Sequence, residues 1–291
     1  MTFEDIKRQR SSFRLEVIKN DDGTLVFLAN KHTYRLIDIV FSEIKDLSPI
    51  GWAEVKAVEI DKYRLWIPKN RIKQNVVERF LIWANCANKY IWLQTNKNTK
   101  QYFSDELDFC LAYDWNFDFE TRQRTSVGNA EYELKYNKPK GLVSEEKATF
   151  YDSVIKEALL DCCAYLPVSP NETLLVTTIP AIVEEQNKLS WNMAHYIQQK
   201  YGGVFLTATL SQAKCQIKAL NVDMKLKIWD TIYKDDLLDL SEAVCGKTIL
   251  IVDDLYQSGA SMWRYAKYLK ELGAQKVVGL VSVKAQKDSE N

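Results

Sequence analysis

Asp253 and Asp254 stand side by side at the end of an apolar, β-branched run, Lys247-Thr248-Ile249-Leu250-Ile251-Val252, and the small residues Ser258, Gly259, Ala260 and Ser261 follow shortly after. Paired carboxylates can accept charge-assisted hydrogen bonds from the hydroxyls of a sugar. Small residues let backbone N–H groups close on a phosphate, and serine hydroxyls add donors at the opening of a helix. The stretch from Ile251 to Ser261 therefore has the composition of a ribose-phosphate site. Taken alone, an Asp-Asp pair after an apolar strand is also what a βα loop with a helix cap looks like. The order of strand, acid pair, small loop and amphipathic helix is what gives the pair chemical meaning.

Such residues need elements to hold them. The run Lys247 to Val252, bounded by Gly246 and the two acids, suits a strand buried on both faces of a parallel sheet. Open α/β sheets bind ligands at the carboxyl ends of their strands. Met262, Tyr265, Ala266, Leu269 and Leu272 then recur at helical spacing, with Gly273 as the stop. Val277 to Val283 supplies another apolar strand and completes a β-loop-α-β unit.

The segment resembles the phosphoribosyl pyrophosphate (PRPP) motif of the type I phosphoribosyltransferases: four apolar residues, two acids, then a Thr/Ser-Gly-x-Thr/Ser loop. Both family threonines are serines here, Ser258 and Ser261. The resemblance implies that Asp253 and Asp254 bind the ribose 2- and 3-hydroxyls. It also implies that the loop carried by Leu255, Tyr256, Gln257, Ser258, Gly259, Ala260 and Ser261 holds the 5-phosphate. Further implications are a mainly parallel α/β sheet flanked by helices, Mg²⁺ as cofactor, PRPP or a nucleoside monophosphate as ligand, and glycosyl (phosphoribosyl) transfer with release of pyrophosphate. Mg²⁺ would ride chiefly on pyrophosphate and ribose oxygens. No residue is singled out as a metal ligand.

Within that family the order of features is closest to the ComF-like branch, named for a competence protein of DNA uptake. Leu134-Lys135-Tyr136 reproduces a segment before the first helix, and Thr178-Ile179-Pro180 echoes a Pro-Val-Pro strand end. Lys188 with Trp191-Asn192 matches a basic residue and aromatic-Asn pair that open the next helix, and Gln216, Leu220 and Lys227 are the nearest counterparts of a further set. The resemblance spans about Cys110 to Val283. Thr178, Ile179 and Lys188 are the implied pyrophosphate side, with Lys188 read either as the leaving group's cation or as a solvated lysine before a helix. Lys214, Lys218, Lys225 and Lys227 fall on the segment that closes over the site in the family, although a run of alternating lysines is most often a wet surface. Two features depart from the branch: its cysteine-rich zinc module is missing, and its pyrophosphate-loop and flexible-loop arginines are absent or replaced by lysine.

The rest of the chain reads as two parts, 1–108 and 109–291. The first is a mixed α+β module. It has a hairpin of Phe13–Ile18 and Leu25–Leu28 about Asn20-Asp21-Asp22-Gly23. Strands are expected over Trp52–Ile60, Tyr63–Ile67 and Tyr90–Leu93, with a helix over Gln74–Asn88. The second part reads as strands at Phe109–Tyr113 and Glu131–Tyr136, then a helix Glu145–Tyr165. Strand Leu174–Thr178, helix Ser190–Lys200, strand Val204–Thr207 and the lead-in Leu237–Leu240 follow.

Composition narrows the classes. Net charge is zero, from 39 basic and 39 acidic residues, so nucleic-acid binding would have to come from a local patch. One such patch is Arg64, Trp66, Lys69, Arg71, Lys73, Lys89, Tyr90, Trp92, Lys97, Lys100 and Tyr102, which interleaves bases and aromatics as single-strand binders do; in a chain so rich in Trp and Tyr, such a set is more often core plus charged rim. It leaves open a non-catalytic PRPP or nucleotide sensor, or a ComF-like DNA-uptake accessory, whose first module contacts nucleic acid or a protein. No apolar run approaches a membrane span, and Met1 to Arg8 lacks a signal-peptide core, so a cytoplasmic protein is expected. The six cysteines contain no Cys-x-x-Cys pair and read as reduced, buried thiols. With only His32 and His195, a histidine metal centre or a Ser-His triad is poorly supported.

Overall fold

Alternating apolar and polar residues make β2 (Arg14–Lys19) and β3 (Leu25–Asn30) a hairpin, in which Lys19 pairs with Leu25. In the computed structural model, which describes residues 1–56, 62–95, 100, 104–169, 173–183, 188–211, 220–233 and 237–286, the chain divides into two compact units, Met1–Trp92 and Leu93–Asn291.

In the first unit, β1 (Thr2–Lys7), β4 (Trp52–Glu54) and β5 (Lys62–Ile67) join the hairpin in a five-stranded sheet of order β1-β2-β3-β5-β4, with antiparallel pairing throughout. Part of the expected strand Trp52–Ile60 lies outside the described residues. Helix α1 (Lys31–Val40) starts where Asn30 accepts a hydrogen bond from the Thr33 amide at 2.8 Å. The short α2 (Glu43–Asp46) and the longer α3 (Gln74–Ala87) follow, and β6 (Ile91–Trp92) closes the unit. The inner sheet face carries Val17, Phe27 and Leu65, all buried. Phe27 meets Phe80 of α3 edge to face at 5.0 Å.

In the second unit β7 (Phe109–Trp115), β13 (Lys276–Lys284), β12 (Thr248–Tyr256), β8 (Leu174–Thr178) and β9 (Val204–Phe205) lie side by side in that order, all parallel. Helices α4 (Ser126–Tyr132), α5 (Glu145–Cys163) and α6 (Leu189–Tyr201) pack together on one face. On the other lie α7 (Val222–Ile232) and α8 (Ala260–Glu271). A small antiparallel pair, β10 (Ala208–Leu210) and β11 (Leu238–Leu240), stands apart from the main sheet. This is the α/β architecture that the alternation of apolar strands and amphipathic helices requires. Helix α8 comes very close to the sheet because Gly279 has no side chain: a Cβ there would sit 2.6 Å from Met262 Sδ and 2.7 Å from Cys110 Sγ.

Two sequence expectations are corrected. Glu131–Tyr136 is not a strand. Thr125 caps α4 by accepting from the Gly128 amide at 3.0 Å, and the helical path continues through a π turn at Glu133–Asn137. Its buried residues Val127, Ala130, Glu131 and Leu134 follow a helical spacing, which outweighs the alternation read from Glu131 onward. Strand β12 also does not stop at Val252. Pairing with β13 carries it through both acids to Tyr256, with Asp253 opposite Val281 and Tyr256 opposite Lys284. Ladder hydrogen bonds to a long central neighbour override the poor strand propensity of Asp.

Candidate functional site

The two carboxylates sit inside the last turn of pleat of β12, at the carboxyl edge of the parallel sheet. Successive strand residues point to opposite faces, so Asp253 and Asp254 diverge. Asp253 Oδ1 accepts from the Asp254 amide at 2.9 Å, and its side chain is half-buried. Asp254 is buried, on the face carrying α4, and its Oδ2 is 2.6 Å from Lys135 Nζ. Lys135 is also 3.5 Å from Glu131 Oε1, one helical turn back. Burial opposes the charge on Lys135, but Asp254 and Glu131 together outweigh it and raise its pKa. Burial raises the Glu131 carboxyl, with Lys135 pulling the other way. Glu131 and Lys135 were not read as site residues from the sequence. The available signal was their i, i+4 spacing, which shows only once the segment is taken as a helix.

The loop after β12 is a tight one. Gln257 is exposed, Ser258 is buried, and Gly259 precedes α8 with φ of 81°. A Cβ on Gly259 would lie 2.2 Å from Tyr256 Oη and 2.7 Å from Trp263 Cδ1. The Tyr256 ring is thus tucked under the turn, where its hydroxyl accepts from the Trp263 indole N–H. Lys284, buried at the end of β13, donates to the Gln257 carbonyl and to the Ala285 carbonyl, each at 2.9 Å. The Ser258 hydroxyl accepts a long hydrogen bond from the Ala260 amide, 3.4 Å. The first turn of α8 has amides with no intrahelical acceptor, beginning at Ala260 and Ser261. Leu255 and Tyr256 lie in the strand, and the Tyr256 ring supports the loop from below.

Thr178 is brought to the same edge, since it pairs with Val252 next to the acids. It is buried, and Ile179 is half-buried. The chain beyond is tied down by the Leu210 amide, which donates to the Ala181 carbonyl at 3.0 Å. Lys188 is exposed at the N-cap position of α6. Residues 184–187 lie outside the described residues, as do Lys214, Gln216 and Lys218. Of the remaining lysines on that segment, Lys225 is buried in α7, and Lys227 is paired with Asp223 at 2.7 Å on the helix surface.

No family model matches the chain, and no curated protein matches it. Among solved structures it is similar to a hypoxanthine-guanine phosphoribosyltransferase from Bacillus anthracis, crystallised with a HEPES molecule in its active site. Identity is 17%, the match covers 48% of this chain and 69% of that one, and the TM-score is 0.30. A likeness at that score leaves the site's own geometry to carry any functional reading.

The other candidates resolve into packing. Trp92 is fully buried, and its indole donates to the Ala87 carbonyl at 2.9 Å, so it offers no face to a base. Trp66 and Tyr90 are half-buried, Arg64, Lys69, Arg71 and Lys73 are exposed, and Lys97 and Tyr102 lie outside the described residues. Two clefts lie in the first unit: one is lined by Glu43, Asp46, Arg71 and Lys73, the other by Ile18, Val26, Leu28 and Arg64 on the outer sheet face. His195 stacks on Phe205 with ring centres 3.8 Å apart. Cys110, Cys162 and Cys163 are buried free thiols, Cys86 is half-buried and Cys245 is exposed; Cys215 lies outside the described residues. No helix among the described residues is long and apolar enough to cross a membrane.

Proposed function

We propose that the chain binds PRPP, or a nucleoside 5-monophosphate sharing its ribose-phosphate half, at the carboxyl end of β12, and transfers the phosphoribosyl group to an acceptor with release of pyrophosphate. The observation that carries this reading is the acid pair at the edge of a parallel sheet, followed at once by a turn that opens α8. Carboxylates at that edge suit sugar hydroxyls, Asp253 from one face of the strand and Asp254 from the other, and the amides of Gly259, Ala260 and Ser261 suit a phosphate. Mg²⁺ fits as a part of the ligand. Among the described residues no three carboxylate, imidazole or thiolate groups gather into a cage, and an ion held by pyrophosphate oxygens and water needs none. When bound, it supplies charge neutralisation on the leaving group.

In the reaction the bond between the anomeric carbon and the pyrophosphate oxygen breaks, the electron pair leaving with pyrophosphate, and a lone pair of the acceptor forms the new bond. The ribose carbon carries oxocarbenium character between the two. The protein's part is to hold the ribose through Asp253 and Asp254, fix the 5-phosphate at Ser258 to Ser261, and stabilise the departing charge. Thr178, Ile179 and Lys188 are the residues for that last role, and a single lysine without an arginine fork is a modest clamp.

That weakness supports a second reading, a non-catalytic PRPP or nucleotide sensor. One experiment separates the two. The protein is incubated with PRPP, Mg²⁺ and a panel of bases, amines and ammonia, and pyrophosphate release is followed beside calorimetric binding. Release that needs both an acceptor and Asp254 supports transfer. Tight binding without turnover supports the sensor. The Asp253→Asn/Asp254→Asn variant should lose paired charge-assisted contacts worth roughly 1.5–3 kcal/mol each, and unchanged PRPP affinity in it would remove the site assignment.

A further inference from the structure

Lys135 stands where a bound ribose would have to compete with it. Its ammonium has three donors. Asp254 takes one at 2.6 Å, while Glu131 is at ion-pair range, 3.5 Å. Glu131 is 2% exposed, and its Oε1 makes no hydrogen bond. That oxygen is the one facing Lys135, so the buried carboxylate is held by charge at the long end of ion-pair range and keeps room for a closer approach. Here it lies beside a lysine whose other partner is the very acid assigned to the ribose. The turn that aims Lys135 is π-helical, an arrangement that occurs mostly as a local distortion and often at functional sites.

The geometry allows an exchange. If sugar hydroxyls take Asp254, Lys135 is not stranded, because Glu131 is already within range as its counter-charge. It then has donors to turn toward the ligand. We infer that Lys135 is a ligand-binding residue of this site, which on binding exchanges Asp254 for an anionic oxygen on the anomeric side of the ligand while Glu131 keeps it neutralised. The inference rests on the ribose-phosphate reading above. It gives the pyrophosphate half of the site a cation in addition to Lys188. No bond is made or broken; the step is an exchange of ion-pair partners.

The test compares PRPP with ribose 5-phosphate, which lacks the anomeric pyrophosphate, by calorimetry with Mg²⁺ on the full chain. Lys135→Met should weaken PRPP by roughly 10–100-fold, the loss of one charge-assisted hydrogen bond. Ribose 5-phosphate should bind the variant unchanged or tighter, because Asp254 is released. Glu131→Gln should shift the ratio in the opposite sense. Ribose 5-phosphate then leaves Lys135 without a counter-charge, whereas PRPP brings its own, so preference for PRPP rises. This second variant decides the matter if Lys135→Met proves unfolded in a thermal melt. Equal losses of both ligands in Lys135→Met would make the residue structural, and equal gains would make it a mere competitor; either overturns the inference. If the parent chain binds both ligands in an Asp254-dependent way and neither variant moves their ratio, the ribose-phosphate reading stands and the Lys135 inference alone falls. If the parent chain binds neither, both fall.

Discussion

A methyl group at Gly259 is the smallest change that separates the loop from its support. The residue has φ of 81°, and its missing Cβ would stand 2.2 Å from Tyr256 Oη. Gly259→Ala therefore incurs backbone strain of about 1–3 kcal/mol and pushes the Tyr256 ring out from beneath the turn. We expect a lower urea midpoint, together with weakened PRPP binding beyond what stability explains. A variant as stable as the parent would mean that the ring does not sit under the turn. At this scale the sequence was readable where chemistry is local. Asp253, Asp254, Ser258 and Gly259 are neighbours in the chain, and their types alone suggest sugar and phosphate. Lys135 was singled out, but only as the middle of a Leu-Lys-Tyr motif. Its pairing with Asp254 is a contact between distant segments, and no local pattern reports such a distance.

Helices and strands were legible in proportion to how far their own side chains decide them. Leu174–Thr178 is apolar or β-branched at each position, and β8 has those bounds. The ends of β12 are decided by its neighbour instead, which is why the strand outruns its apolar run. The segment after Thr125 failed for a related reason: over a few residues, alternation and helical spacing look alike, and the cap at Thr125 was the missing cue. Helix α1 carries an element-scale prediction. His32 is buried on it, 3.2 Å from the Ser12 hydroxyl through Nδ1, and burial pushes its pKa down to about 3. The folded state thus binds fewer protons than the unfolded one between that value and the ordinary 6.5. Its contribution is fully present above pH 6.5 and is lost as the pH falls, by about 1.4 kcal/mol at pH 5.5. Urea unfolding of the parent and of His32→Gln at pH 7.5 and 5.5 should show the parent losing that much more. Parallel losses would place the imidazole in solvent.

At the scale of the molecule, the division at Trp92 and Leu93 motivates a proposal about independence. The second unit carries its own sheet and helices on both faces, which is what a self-sufficient α/β fold needs. Residues 93–291 expressed alone should give the circular dichroism of a folded α/β protein and bind PRPP as the full chain does. An unfolded fragment beside a folded full chain would show that the two units depend on one another. The sheet order has a separate consequence, in time rather than in space. Strands β7 and β8 are made early, but the two strands that join them, β13 and β12, come last among the strands. While the chain is being synthesised, β7 and β8 must wait for their central partners until β12 and β13 emerge. Such late, long-range parallel pairing makes for slow folding and prolonged exposure of sticky edges. The loop after β12, lying between the last two strands, takes its shape when the sheet closes, so the site proposed there and the fold are completed in a single late event.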